Sequence, residues 1–283
     1  MKYEIIRKEE LGGENYLIEI ATRQIAERYR PGQFVIIRVD ENGERIPLTV
    51  ADFDAGQGTI TLIYQAVGKS THQLATLNAG DAILDCVGPL GKPSEIKKFG
   101  RVICVGGGTG IACIYPLIRA LVNIGNEVIS IIGARTASLL ILEKEIDELN
   151  FRTCIATDDG SKGHHGFVTD VLRNLLDEYE NSGGIQQVFA IGPPIMMKAV
   201  SDVTRPRRIK TVVSLNAIML DGTGMCGSCR VFVDGEMKLA CIDGPEFDAH
   251  KVNFEDLISR LGMFKEKESE AAHCYLKRTG VER

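Results

Sequence analysis

The 283-residue sequence has no long block of lysine or arginine, no uninterrupted apolar run of membrane-spanning length, and no tryptophan. With 33 basic against 38 acidic side chains and a net charge of −5, it lacks the basic surface on which nucleic-acid binding depends. The longest uncharged stretch, residues 102–118, is short for a bilayer span and carries Gly106, Gly107, Gly108 and Gly110 near its middle. A buried strand, a glycine turn and a helix start account for it better. The first residues are charged and amphipathic, without the apolar core and small-residue cleavage site of a secretion signal. The expectation is a cytoplasmic protein with neither nucleic-acid nor membrane partners. Apolar residues recur in every segment and make up 44% of the chain, which excludes disorder.

Eight cysteines are present, and in a reducing compartment a cluster of them points to metal binding or chemistry rather than disulfides. Cys86, Cys104, Cys113 and Cys154 stand singly among apolar residues and read as small core side chains. Cys226, Cys229 and Cys241 do not.

Three regions follow one another. Residues 1–97 carry short strands, at 16–21, 33–39, 59–65 and 82–87, separated by turn residues such as Pro31 and Gly32 or Gly56 and Gly58. That is the pattern of a small antiparallel Greek-key β-barrel. Residues 98–215 alternate strands (101–105, 127–132, 151–157, 187–191) with helices (111–124, 137–149, 168–179), which predicts a parallel-sheet α/β domain with its ligand at the carboxyl ends of the strands. Residues 216–283 begin with a segment rich in glycine and cysteine and end in a tail with a candidate amphipathic helix at 254–264.

In the last region Asp221, Cys226, Cys229 and Cys241 follow the spacing D-x4-C-x2-C-x11-C. Plant-type [2Fe–2S] sites use C-x4-C-x2-C with a fourth cysteine further on, so Asp221 stands where the first cysteine would be. Gly222, Gly224 and Gly227 supply the tight loop whose N–H groups a cluster needs around its sulfurs. A zinc site built on the same cysteines is the alternative, in a zinc-stapled, non-catalytic nucleotide-binding module. The nearest histidine in sequence is His250, and the pair His164 and His165 lies in a polar loop that reads as solvated.

Gly106, Gly107, Gly108, Thr109 and Gly110 follow a buried strand and open a helix, the arrangement that lets backbone N–H groups approach a pyrophosphate. Arg135 ends the second strand of this region, and Asp158 and Asp159 end the third. Carboxylates there would accept from a ribose diol and repel a 2′-phosphate, which favours NAD(H).

A barrel, a nucleotide domain and a cluster segment in this order resemble the ferredoxin–NADP reductase superfamily, in its subgroup of electron-transfer subunits with a C-terminal [2Fe–2S] module. Pro47, Leu48 and Thr49 resemble the family's flavin motif, with Leu48 at the tyrosine position and Ile46 at that of the arginine. Gly68, Lys69, Ser70 and Thr71 resemble the loop and helix start that hold the FAD pyrophosphate, and Gly192 and Pro193 the family's cysteine-glycine-proline motif. The resemblance implies FAD contacts from these residues and from Ile63, Tyr64 and Gln65, with NAD(H) at 106–110, Arg135, Asp158, Gly192 and Pro193. Two relatives compete: the electron-transfer subunit of dihydroorotate dehydrogenase, and the small subunit of the bifurcating NADH-dependent reduced ferredoxin:NADP oxidoreductase, also called sulfide dehydrogenase. Asp221 and the tail favour the second, whose resemblance implies a heterodimer with a larger flavin and [4Fe–4S] subunit serving ferredoxin and NADP(H).

Overall fold

The computed structural model describes residues 3–149 and 151–280. Its first part is a nearly closed antiparallel barrel of β1 (Tyr3–Gly12), β2 (Asn15–Ala21), β3 (Phe34–Arg38), β4 (Ile46–Asp54), β5 (Thr59–Gln65), β6 (Ala82–Ile83) and β7 (Asp85–Leu90). The order β6-β1-β2-β5-β4-β3-β7 pairs β2 with β5 rather than with β3, as in a Greek key. Short helices α1 (Arg23–Ala26) and α2 (Lys69–Thr76) fill the crossings. Strand period 2 sends Ile18, Ile20, Val35, Ile37, Ile60 and Leu62 into the barrel core.

The second part is a sheet with order β11-β10-β9-β8-β12-β13-β16, parallel except at its edge strand β16 (Glu246–Asp248). Its strands are β8 (Arg101–Gly107), β9 (Glu127–Ala134), β10 (Arg152–Thr157), β11 (His164–His165), β12 (Gln187–Ile191) and β13 (Thr211–Ser214). Helices α3 (Gly110–Asn123), α4 (Glu143–Leu149), α5 (Val168–Tyr179) and α6 (Pro194–Thr204) cover its faces. Both faces are dry, so β8 is apolar from Val102 onward: Val102 and Cys104 pack toward α3, Ile103 and Val105 toward α5 and α6.

Beyond Ser214 come a hairpin of β14 (Arg230–Val233) and β15 (Glu236–Leu239), then α7 (Ala240–Asp243), β16 (Glu246–Asp248), α8 (Phe254–Leu261) and α9 (Lys265–Thr279). β16 pairs antiparallel with β13, so the cysteine segment is stitched to the edge of the nucleotide sheet. Phe254 and Leu257 of α8 are buried in that core; the helix covers its own domain instead of offering an apolar face. α9 runs back to the barrel and packs on α2, with Ala272 buried.

Two expectations change. The helix expected at 137–149 is a 3-10 turn at Ala137–Leu139, an extended stretch, and then α4, because Leu142 adopts a left-handed φ of 54° that ends any helix. The histidine pair forms the short edge strand β11, parallel to β10.

Gly110 opens α3 beneath the end of β12, where an added Cβ would lie 2.3 Å from the Ile191 carbonyl oxygen. Gly110→Ala must therefore push the helix start off the sheet. The expected result in denaturant unfolding is a loss of about 1–3 kcal/mol, of the size typical of overpacking.

Candidate functional site between barrel and sheet

A cavity of about 910 Å³ runs between the outer face of the barrel and the carboxyl ends of the parallel strands. Phe34, Pro47, Thr49, Gln65 and Val67 form its barrel wall, and Gly107, Gly108, Thr109, Gly110 and Cys113 its wall at the glycine turn. Arg135, Asp158, Phe167, Gly192, Pro193 and Met196 continue it along the sheet, and Asn216, Met219 and Pro245 close it from the C-terminal segment.

The expected flavin residues divide by strand register. Thr49 lies opposite Phe34 on the outward face, whereas Leu48 lies opposite Val35 and packs against the barrel core. Of the motif only Pro47 and Thr49 open to the cavity. The same alternation turns Gln65 to the cavity and Tyr64 into the barrel, where it stacks on Tyr16 at 5.8 Å. Ile63 lies in the apolar layer between barrel and α3. Leu48, Ile63 and Tyr64, expected among the FAD contacts, thus turn their side chains away from the cavity. Gly68, Lys69, Ser70 and Thr71 form the start of α2, just beyond the cavity-lining Val67. There the Val67 and Gly68 N–H groups both donate to Thr71 Oγ1 at 3.0 Å, and Ser70 Oγ donates to Glu44 at 3.0 Å.

The dinucleotide residues converge. Residues 107–110, Arg135, Asp158, Gly192 and Pro193 all line the cavity, while Gly106 sits behind them against α3. Asp159 turns away: its carboxylate accepts from Ser161 Oγ at 2.6 Å and Ser161 N at 3.0 Å, bonds that hold it below the usual carboxylate range. Asp158 is therefore the carboxylate of this pair that lines the cavity. Two wall residues escaped the sequence reading. Cys113, packed against the apolar layer over α3, also reaches the cavity wall, and Phe167, at the start of α5, is 64% exposed on the wall that Asp158 also lines. Nothing in local sequence marks either, since their wall is completed by another part of the chain.

In the C-terminal segment the four expected ligands form two pairs. Asp221 accepts from Thr223 N at 2.7 Å and Cys226 N at 2.6 Å, and these bonds hold its carboxyl below the ordinary range. Cys229 and Cys241 lie with sulfurs 3.3 Å apart. Burial, and then the Cys229 sulfur, push the Cys241 thiol up. Burial also raises Cys226, but hydrogen bonds from the Ser228 side chain and backbone outweigh it and hold that thiol below the usual value. Among the described residues no three His, Cys, Asp or Glu side chains gather round one point to hold a single metal ion. A donor set of three soft sulfurs and a carboxylate, split two and two around a glycine loop, fits a two-iron cluster better than one zinc ion.

Barrel, dinucleotide cavity and cluster loop define a ferredoxin-reductase-like flavoprotein with an iron–sulfur module. The model of the iron–sulfur cluster binding domain of dihydroorotate dehydrogenase B matches residues 216–253, and that of the oxidoreductase NAD-binding domain matches residues 104–202. The chain is 44% identical over 277 residues to the dihydroorotate dehydrogenase B electron transfer subunit homolog of Thermotoga maritima, covering 98% of this chain and 96% of that one. It is 33% identical to the dihydroorotate dehydrogenase B electron transfer subunit of Shouchella clausii, covering 88% of this chain and 96% of that one. A chain of the NADH-dependent reduced ferredoxin-NADP oxidoreductase, solved for its flavin-based electron bifurcation, superposes with a TM-score of 0.90 at 42% identity, covering 98% of both chains. Phthalate dioxygenase reductase, at 17% identity and a TM-score of 0.60, covering 82% of this chain and 86% of its own, shares the fold.

The chain belongs to the family of dihydroorotate dehydrogenase B electron transfer subunits and their homologues. It is an electron-transfer subunit of a heteromeric oxidoreductase, and its cofactors are FAD, NAD(H) and an iron–sulfur cluster. Among the described residues no helix is long and apolar enough to cross a membrane.

Phe167 presents an exposed, flat apolar ring on the wall that Asp158 also lines, a surface on which an adenine ring would stack. Phe167→Ala is expected to raise the KM for NADH about 3- to 10-fold with kcat unchanged, since it removes binding shared by ground and transition states. Steady-state kinetics at varied NADH reads both.

Proposed function

We propose that this chain is the small subunit of a bifurcating NADH-dependent ferredoxin:NADP oxidoreductase. In this reading NADH enters between residues 107–110 and Asp158, FAD lies along Pro47, Thr49 and Gln65 with its pyrophosphate toward the start of α2, and Asp221, Cys226, Cys229 and Cys241 hold a [2Fe–2S] cluster. FAD held there would supply the conversion between a two-electron hydride and the single electrons that a [2Fe–2S] cluster carries. The protein needs no acid or base for that step, only a fixed distance and the exclusion of water.

The observation that carries the reading is the seat of the cluster loop. An added Cβ on Gly222 would lie 2.5 Å from Leu90 Cδ1 and 3.0 Å from Ile36 Cγ1, so the loop backbone rests on the outer face of the barrel. Phe34, two residues along β3 from Ile36, lines the cavity. Flavin cavity and cluster loop thus share one wall, roughly 7 Å apart along the strand.

The partner side is the far side of that loop. Cys226 is exposed, and around it Leu220, Met225 and Ile242 are 50%, 87% and 45% exposed, an apolar rim of the kind that marks a protein interface. A larger subunit carrying flavin and [4Fe–4S] clusters would seat there and lead on to ferredoxin and NADP(H). The cysteine-segment match favours a second reading, electron-transfer subunit of dihydroorotate dehydrogenase. Asp221 in the place of the first cysteine, and a tail that continues past the matched cluster segment as α8 and α9, weigh against it.

The test is purification of the complex from its host without oxygen. A larger iron–sulfur flavoprotein is expected with the chain, together with one reduced [2Fe–2S] signal in electron paramagnetic resonance. Cys241→Ser should abolish that signal, and Asp221→Cys should keep it with shifted g values. A colourless, zinc-containing protein would overturn the proposal, as would a dihydroorotate-oxidising partner.

A further inference from the structure

The loop that carries Cys226 and Cys229 runs directly into β14, and α8 is fastened to that strand. The Asn253 N–H donates to the Phe232 carbonyl of β14 at 2.9 Å, and the Asn253 side chain accepts from the Asp256 N–H at 3.0 Å, which caps the helix. Phe254 and Leu257, on one face of α8, are buried in the same core as Cys229, Val231 and Cys241. Arg260 stands three residues after Leu257. It is half-buried on the flank of that face, at a crevice also lined by Ser228 and Arg230. Its Nη2 donates to the Ser228 carbonyl oxygen at 3.4 Å, and the Ser228 hydroxyl lies 3.1 Å from Cys226 Sγ. The residue between two expected ligands thus bonds outward to a cation and inward to a ligand sulfur. Among the described residues Arg260 forms no ion pair, not even with Asp256 one turn earlier, so its charge is left to the loop.

We infer that Arg260 is a positioning residue for electron transfer: it holds the Ser228 carbonyl, keeps the serine hydroxyl on Cys226, and sets a positive charge beside the loop that favours the reduced cluster. The inference rests on the proposed ligation by Asp221, Cys226, Cys229 and Cys241. Reduction adds one negative charge to a cluster, so a nearby cation and a hydrogen bond to a ligand sulfur both raise its potential. A thiolate sulfur can only accept, which fixes the serine hydroxyl as the donor. An arginine in the last turn also suits the negative end of α8, but that role shows in stability and not in the potential. Phe254 and Leu257 seat α8 without Arg260, so its replacement leaves the helix in place.

Redox titration of the intact complex without oxygen, read by electron paramagnetic resonance, gives the potential of the [2Fe–2S] signal. Arg260→Gln removes the charge and is expected to disfavour reduction about fivefold, which is about 40 mV lower at 59 mV per tenfold. Arg260→Lys keeps the charge and should stay within about twofold of wild type. Arg260→Met removes the donor to Ser228, and its amide hydrogens at 226–229 should exchange about threefold faster. A wild-type potential in Arg260→Gln would overturn the inference, as would an Arg260→Lys potential as low as that of Arg260→Gln, or wild-type exchange in Arg260→Met. A wild-type complex with no reducible [2Fe–2S] signal would sink the proposed function instead; the exchange measurement would still decide whether Arg260 orders the loop.

Discussion

The contact between the Gly222 backbone and the side chains of Ile36 and Leu90 is the constraint on which the molecule's function turns. It brings a loop from the last part of the chain onto a barrel made by the first, at the one face where the barrel also borders the cavity. Any side chain at 222 would lift the loop, and the left-handed φ of 73° adds a second reason for glycine there. β16 reinforces the arrangement from the other side, because as an edge strand it ties the cysteine segment to the nucleotide sheet. Barrel, sheet and cluster segment are three chemistries but one packed body.

The electrostatics around the cluster loop suit electron passage. Asp221 is held charged by two backbone N–H groups, Cys226 is held toward its thiolate form by Ser228, and Cys229 and Cys241 sit buried, side by side. Cys226 faces solvent while Cys229 and Cys241 face the core, the inner and outer sides that the proposed path from flavin to partner needs.

Much of this was legible in the sequence, for a physical reason. Ligand spacing and a glycine turn are local: D-x4-C-x2-C and the run from Gly106 to Gly110 carry their chemistry within a few residues, wherever the fold puts them. Alternating strands and helices announced the parallel sheet in the same way. The sequence was silent where a feature needs two distant segments. That the side chains of Leu48 and Tyr64 turn into the barrel was hidden, because strand period 2 leaves the inward face undetermined until the neighbouring strand is known. That Cys113 reaches the cavity as well as the core was hidden, because β4, across the cavity, is far off in sequence. The break at Leu142 rests on a backbone conformation that leucine rarely adopts, and no residue type announces it.

The most direct test of the shared wall is rapid-freeze electron paramagnetic resonance on the cofactor-loaded complex, started by mixing with NADH and followed beside flavin absorbance. Wild type should show the [2Fe–2S] signal rising as the flavin bleaches, and Gly222→Val should delay the signal while the bleaching keeps its rate. A cluster that stays oxidised beside a reduced flavin, or a Gly222→Val protein with wild-type timing, would contradict the account.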